Sequence, residues 1–383
     1  MSFADLGVSR PVSDALKRRG IAHPFPIQEL VIGDVLAGND VLVQSPTGSG
    51  KTLAFGVSLA DRLAENDRTP AALVLVPTRE LALQIVEELD AAMRSRGLRI
   101  AAVHGGVGIE KQAQRAARAQ VIVATPGRLE DLLKRRALRL GHVRILVLDE
   151  ADRMLDLGFK PTVDRIVAMT RRDRQTLFLS ATLEGAAGRQ AREYTREPRR
   201  HVHEPRTEDA GMVRHQFVHL QHEAKLPALV DELAHTQRGR TLVFVRTKRG
   251  ADRLVRRLEK HRVQAAAMHG NRSQSQRQKA LARFRRGDVD VLVATDVAAR
   301  GIDVDDITHV VNFDAPGDQD AYVHRVGRTA RAGRDGTAVS LVLPDQRAEM
   351  SRVASDLGLS REFDGGRSIR SNGGSNRGRR QRR

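Results

Sequence analysis

Residues 45–52 read Ser-Pro-Thr-Gly-Ser-Gly-Lys-Thr. That order of residue types suits phosphate. Glycines let successive backbone N–H groups turn toward an anion. A lysine opening the following helix reaches β- and γ-phosphate oxygens, and a hydroxyl beside it can ligate Mg²⁺. The residues expected around the phosphates are Ser45, Thr47, Gly48, Ser49, Gly50, Lys51 and Thr52. Far downstream, the apolar run Ile145-Leu-Val-Leu ends on Asp149 and Glu150. A carboxylate facing a phosphate loop can hold Mg²⁺ through its water shell, so Thr52 and Asp149 are the expected metal residues. Glu150 could orient or deprotonate an attacking water. Alone, the first segment could be a bare strand–helix turn and the second a strand ending in solvated acids. Together they imply that ATP is bound and hydrolysed, with Lys51, Asp149 and Glu150 as catalytic residues.

Such residues need strands to present them. Short β-branched runs alternate with helical patterns along the first half: strands are expected at 41–43, 73–76, 121–124, 145–148 and 176–179. Near-continuous apolar strands separated by helices predict a parallel sheet covered on both faces, with ligands at the carboxyl ends of its strands. The segment 196–212, rich in Pro, Arg, His and Glu, has no periodicity and reads as a connection. The alternation then resumes, with strands expected at 216–220, 241–245, 265–268, 289–294, 308–313 and 337–343. The expected organisation is an α/β domain over 1–200, a linker over 201–212, a second α/β domain over 213–362 and a disordered basic tail over 363–383. The tail has almost no apolar residues to bury.

A chain of 383 residues is long enough for two cores. It has no cysteine, which excludes disulfides and thiolate chemistry, and no apolar run long enough to span a bilayer. The N-terminus lacks a secretory pattern, and a cytoplasmic location is expected. The net charge is +18. The last 20 residues hold seven Arg and one Asp, so +12 remains in the rest of the chain. A polyanion is the natural partner for that charge. Aromatic residues make up 3% and Trp is absent, so contact with a nucleic-acid backbone is expected over base stacking.

The four residues Asp149-Glu150-Ala151-Asp152, with the phosphate loop upstream, resemble the signature of the DEAD-box RNA helicases. The resemblance runs from Phe3 to about Leu343, with many segments in the family's order. It implies two tandem RecA-like parallel-sheet domains. Phe3, 17 positions before Gly20, and Gln28 in Pro26-Ile27-Gln28 resemble the family's adenine site, where Phe3 would stack and Gln28 would hydrogen-bond the base. Phe25 stands where the family commonly carries a small hydroxyl residue. Pro77-Thr-Arg-Glu-Leu-Ala-Leu-Gln84, Gly105-Gly106 and Thr125-Pro-Gly-Arg128 resemble RNA-contacting segments, implying backbone contacts from Thr78, Arg79, Gly106, Thr125 and Arg128. For each taken singly, a helix cap or a turn is an equally good local reading. Ser180-Ala-Thr182 resembles the segment that couples hydrolysis to strand separation, with Ser180 and Thr182 bonded to the acidic segment through Asp152.

In the second half, Val243-Phe-Val-Arg-Thr247, Gln274-x-x-Arg277 and Ala294-Thr-Asp-Val-Ala-Ala-Arg-Gly-Ile-Asp303 are similar to further family segments. They imply RNA contacts by Arg246, Thr247, Arg277, Thr295 and Asp296, and a nucleotide contact by Asp303. His324-Arg-Val-Gly-Arg328-Thr-Ala-Arg331 resembles the segment that supplies arginine fingers. Arg328 and Arg331 would reach the γ-phosphate, and His324 would take part in coupling. Ala330 replaces the commoner Gly there. The resemblance implies RNA-stimulated ATP hydrolysis that locally separates short duplexes or remodels RNA–protein complexes. RNA would be bound independently of sequence, with ribosomal or RNA-decay proteins as further partners. An ATP-gated RNA clamp, a DNA translocase and an ATPase without a nucleic acid share parts of this pattern.

Overall fold

The computed structural model describes residues 1–46, 49–203, 211–234, 239–299, 304, 306–330 and 334–369. The chain divides into two compact units, Met1–Pro205 and Arg206–Arg383.

Unit 1 holds seven strands: β1 (Val41–Gln44), β2 (Ala72–Leu75), β3 (Ile100–Val103), β4 (Val121–Ala124), β5 (Ile145–Leu148), β6 (Gln175–Ser180) and β7 (Arg199–Val202). They form one parallel sheet in the order β3-β4-β2-β5-β6-β1-β7. Side chains alternate across a strand, and both faces are buried here. Val41, Val43, Val74, Val123, Val147 and Leu177 pack into one core. Leu75, Ile122, Leu146, Leu148 and Phe178 pack into the core on the other face. This is why the central strands read as unbroken apolar runs.

Unit 2 repeats the plan with β8 (Val213–Leu220), β9 (Arg240–Phe244), β10 (Ala265–Met268), β11 (Val291–Ala294), β12 (Ile307–Asn312), β13 (Gly336–Val342) and β14 (Arg367–Ile369). Its parallel sheet runs β10-β11-β9-β12-β13-β8-β14. Each position holds the strand seven further along the chain than its counterpart in unit 1.

Two sequence expectations are corrected. Residues 199–202 do not belong to a linker: β7 pairs with β1 along Val41–Gln44. The fold also continues past 362. Phe363 is buried against Phe217, in the helix Ser360–Asp364, and β14 pairs with the end of β8. Phe363 joins a cluster with Phe217, Tyr322 and Met350, and its carbonyl is bonded by His219. The remainder of the expected tail, 370–383, and the linker residues 204–210 lie outside the described residues.

Candidate nucleotide site and nucleic-acid interface

In unit 1, β1 and β5 flank β6, so the loop after β1, Ser180-Ala181-Thr182 after β6 and the acids after β5 share one edge of the sheet. Gly50, at φ +89, caps the helix Lys51–Arg62, a conformation that favours glycine. Lys51 is buried, and its Nζ donates to the carbonyls of Ser45 and Pro46, both at 2.6 Å. These oxygens stand where anionic oxygens could replace them. Ser45 Oγ donates to Ser49 Oγ at 2.7 Å, and the Ser45 amide donates to the Ser180 carbonyl at 3.0 Å. Thr52 is half-buried on the first helical turn. Thr47 and Gly48 lie outside the described residues.

Asp149 is buried, its amide donating to the Leu75 carbonyl at 3.0 Å. Burial pushes its carboxyl up to about 7; Lys51 pulls the other way, and Glu150 adds to the upward push. Its Oδ1 accepts from the Glu150 amide at 2.9 Å. Glu150 itself sits at φ +50, a left-handed conformation that costs a side-chain-bearing residue about 1–2 kcal/mol. Backbone strain of this kind is concentrated at functional positions. Among the described residues no three His, Asp or Glu side chains group around a metal position. One carboxylate and one hydroxyl, Asp149 and Thr52, are hard oxygen donors. Such a sparse set suits Mg²⁺, which keeps waters and takes phosphate oxygens.

Asp152 links this edge to β6, but not as expected. Its Oδ2 accepts from the backbone amide of Ala181 at 3.2 Å, while Ser180 Oγ accepts from the Thr182 amide at 3.3 Å. The middle residue of the Ser-Ala-Thr segment makes the bond, through an atom every residue type carries.

The adenine expectations divide. Gln28 is buried and lies beside the phosphate loop, its Oε1 accepting from the Phe25 amide and its Nε2 donating to the Gly50 carbonyl, each at 2.9 Å. Phe3 is corrected: it is 2% exposed, packed in the core with Val8, Val12 and Leu16. Its ring presents no face for stacking.

The RNA-directed residues of unit 1 follow β2, β3 and β4, neighbours at the other end of the same edge. Thr78 caps the helix Arg79–Arg94, its Oγ1 accepting from the Leu81 amide at 3.3 Å. The Arg79 guanidinium lies against Gly105, where an added Cβ would stand 2.8 Å from Nη2. Gly106, at φ +87, is exposed. Thr125 is buried and opens the helix Pro126–Lys134. Arg128 donates to the Val107 carbonyl at 3.1 Å and Gln112 Oε1 at 3.2 Å. Burial, together with Arg79 and Arg128, holds the His104 imidazole below its usual range. Two guanidinium groups and a glycine-rich turn with exposed backbone suit phosphate contact.

In unit 2 the corresponding residues follow β9, β10 and β11, which occupy the same three sheet positions. Arg246 is exposed and Thr247 caps the helix Lys248–Lys260, accepting from the Gly250 amide at 2.9 Å. Arg277 is half-buried in the helix Gln274–Arg286, and Thr295 is buried after β11. Asp296, expected at RNA, is engaged in an ion pair within unit 2. Its carboxylate is held bidentately by Arg325, Nε–Oδ1 at 2.6 Å and Nη2–Oδ2 at 2.8 Å. Arg325 also donates to Asn312 Oδ1 at 3.1 Å and to the Asp314 carbonyl at 2.7 Å, and lies 5.1 Å from the Phe244 ring centroid. The sequence reading assigned Arg325 no role, although it sits inside the His324–Arg331 segment. Its position, on the buried side of the helix Gln319–Val326, was the available signal.

Arg328 is buried, Nε donating to the His324 carbonyl at 3.3 Å, and His324 is half-buried. Ala330 stands at φ +54, so the residue replacing glycine occupies a glycine conformation. Asp303 and Arg331 lie outside the described residues.

A second lysine–aspartate pair went unnoticed in the sequence. Lys225 is the first residue of the helix after β8, as Lys51 is after β1. Asp314 follows β12, as Asp149 follows β5, and its amide donates to the Phe244 carbonyl at the end of β9 at 3.1 Å. In unit 2 the two side chains meet directly, Nζ–Oδ1 at 2.5 Å, with Lys225 4.3 Å from the Phe313 ring centroid and the Arg246 amide on Oδ2 at 2.8 Å.

Residues 25–189 match a family model described as DEAD/DEAH box helicase, and residues 224–333 match the helicase conserved C-terminal domain. The chain is 38% identical over 347 residues to the ATP-dependent RNA helicase CshA of Limosilactobacillus reuteri, covering 90% of this chain and 70% of that protein. It is 38% identical over 353 residues to the DEAD-box ATP-dependent RNA helicase CshA of Geobacillus kaustophilus, covering 92% and 76%. Against the Listeria monocytogenes CshA the chain spans 66% of the relative's length. Among solved structures, Saccharomyces cerevisiae Dbp5 bound to RNA and ADP BeF3 matches with a TM-score of 0.84 at 28% identity, over 97% of this chain and 96% of that one. A DEAD box protein from Methanococcus jannaschii matches at 32% identity with a TM-score of 0.55, over 96% and 99%.

Proposed function

The chain belongs to the DEAD-box family of ATP-dependent RNA helicases, and from that premise we propose how its own residues bind ATP, hydrolyse it and engage RNA. The activity is ATP-dependent remodelling of RNA, with local separation of short duplexes coupled to RNA-stimulated hydrolysis. The observation that carries the site assignment is the placement of Lys51, Asp149 and Glu150 on one edge of a single sheet, with β6 between the strands that present them.

Lys51 exchanges the Ser45 and Pro46 carbonyls for β- and γ-phosphate oxygens. The amides of the loop and of the first helical turn hold the remaining oxygens. Thr52 and Asp149 would hold Mg²⁺, which would neutralise charge on the phosphates. Glu150, held by its strained backbone beside Asp149, orients the water that attacks the γ-phosphate. The Asp152–Ala181 bond lets a shift of the acidic segment move the end of β6. The family resemblance assigns further nucleotide contacts to Asp303, Arg328 and Arg331. RNA lies along the β3-β4-β2 and β10-β11-β9 edges, met mainly through backbone by Arg79, Arg128, the Gly105–Gly106 turn, Arg246 and Arg277. No helix among the described residues is long and apolar enough to cross a membrane.

The test is ATP turnover with and without a single-stranded RNA and with DNA of the same sequence. RNA should stimulate turnover and DNA should not, and Glu150→Gln should abolish it while leaving ATP bound. Equal turnover with and without RNA would sink the coupling.

A further inference from the structure

Phe25 is 55% exposed, although it stands between Pro24 and Pro26 at the start of the helix Pro26–Ala37. No side-chain oxygen caps that helix, since a phenyl ring has none to offer. An N-cap without an acceptor costs about 1 kcal/mol relative to Ser or Thr. Neither core packing nor helix capping explains the choice.

Its surroundings do. A Cβ built on Gly50 would stand 2.6 Å from Phe25 Cδ2 and 2.7 Å from Gln28 Nε2. The ring therefore lies over the last glycine of the phosphate loop, beside the amide that faces the same glycine. The Gln28 amide holds the Phe25 and Gly50 backbones together. One of its two N–H groups and one carbonyl lone pair are used, so one of each is uncommitted, on a side chain that is 1% exposed beneath Phe25 and Gly50. An apolar face and an amide edge side by side, next to a phosphate loop, match a purine. Phe3, the aromatic that sequence resemblance pointed to, is packed in the apolar core with Val8, Val12 and Leu16.

We propose that Phe25 is a base-contacting residue of the nucleotide site, supplying the aromatic face on which adenine packs while Gln28 reads its edge. This rests on the nucleotide reading of the 45–52 loop. The position where the family commonly has a small hydroxyl has traded a helix cap for a stacking surface.

The experiment compares wild type, Phe25→Ala, Phe25→Thr and Lys51→Ala in the full chain. Binding of ADP and of inorganic pyrophosphate is measured by titration calorimetry, alongside thermal unfolding without ligand. Losing one base stack should weaken ADP about tenfold, or about 1.4 kcal/mol, in both Phe25 variants. Pyrophosphate affinity should stay unchanged. Phe25→Thr should also raise the melting temperature by restoring the cap, so that affinity and stability move in opposite directions. Unchanged ADP affinity in the Phe25 variants would overturn the proposal. So would equal weakening of ADP and pyrophosphate, which would show that Phe25 only props Gly50. If wild type bound no ADP and Lys51→Ala changed nothing, the nucleotide reading itself would fall, and the proposal with it.

Discussion

Replacing Asp296 by Ala separates a structural role from an RNA contact. Arg325 has 4% of its side chain exposed and Asp296 has 37%. Removing one partner of a fully buried ion pair costs about 3–5 kcal/mol, because the other charge is left uncompensated. Two features lower that figure here. Asp296 is partly solvated, and Asn312 Oδ1 and the Asp314 carbonyl still hold Arg325 Nη1. The expectation for Asp296→Ala is therefore a loss of about 2–3 kcal/mol, confined to unit 2. Urea unfolding followed by hydrogen exchange would read it as faster exchange of amides in β11 and β12, with unit 1 unchanged. RNA affinity below the unfolding range should hold or rise slightly, since a negative charge near phosphates has been removed. An unchanged unfolding profile with a large loss of RNA affinity would refute this reasoning and restore Asp296 as an RNA contact.

Phe363→Ala should destabilise unit 2 by about 3 kcal/mol, as for other buried aromatics; a urea midpoint equal to wild type would put residue 363 back in a tail. Ala330→Gly should be neutral or stabilise by up to about 1 kcal/mol, because relief of the left-handed backbone is offset by a freer unfolded chain. Ala330→Val should cost more than about 1 kcal/mol, and a valine tolerated in thermal unfolding would show that the backbone there is not held. Burial lowers the His104 pKa from its ordinary 6.5, so the unfolded chain binds the proton more tightly. His104's contribution to stability should be complete above pH 6.5 and fade as pH falls through that value. Stability measured from pH 7.5 to 5 should fall less steeply in His104→Gln; identical slopes would count against the assignment.

Which strands were legible in the sequence depends largely on where they sit, although β10, an edge of unit 2, was legible too. Central strands such as β4 and β5 are covered on both faces and read as Val-Ile-Val-Ala and Ile-Leu-Val-Leu. The three missed strands, β3, β7 and β14, are all sheet edges. An edge strand is often kept polar to discourage pairing with other chains, and Arg199-Arg-His-Val202 follows that rule. For the site, residue types at strand ends marked the loop after β1 and the acids after β5, which the fold places on one edge of a sheet. Hydrogen-bond partners were not legible. The Ala181 amide, the Arg325 clamp and the burial of Phe3 each depend on elements distant in sequence, whose approach no local pattern encodes.

The direct Lys225–Asp314 contact gives the two halves of the repeat different thermodynamic characters. At the corresponding spot unit 2 joins lysine to aspartate directly, while in unit 1 Lys51 donates to the Ser45 and Pro46 carbonyls and acts on Asp149 through its charge. A ligand present at 100 times its dissociation constant adds about 2.7 kcal/mol to the state that binds it. With one nucleotide per chain, that increment is added once, through the loop of unit 1 and the contacts proposed for Asp303, Arg328 and Arg331. In the cell, then, the resistance of the chain to unfolding rises and falls with the nucleotide supply, on top of what the Lys225–Asp314 contact contributes at every nucleotide level.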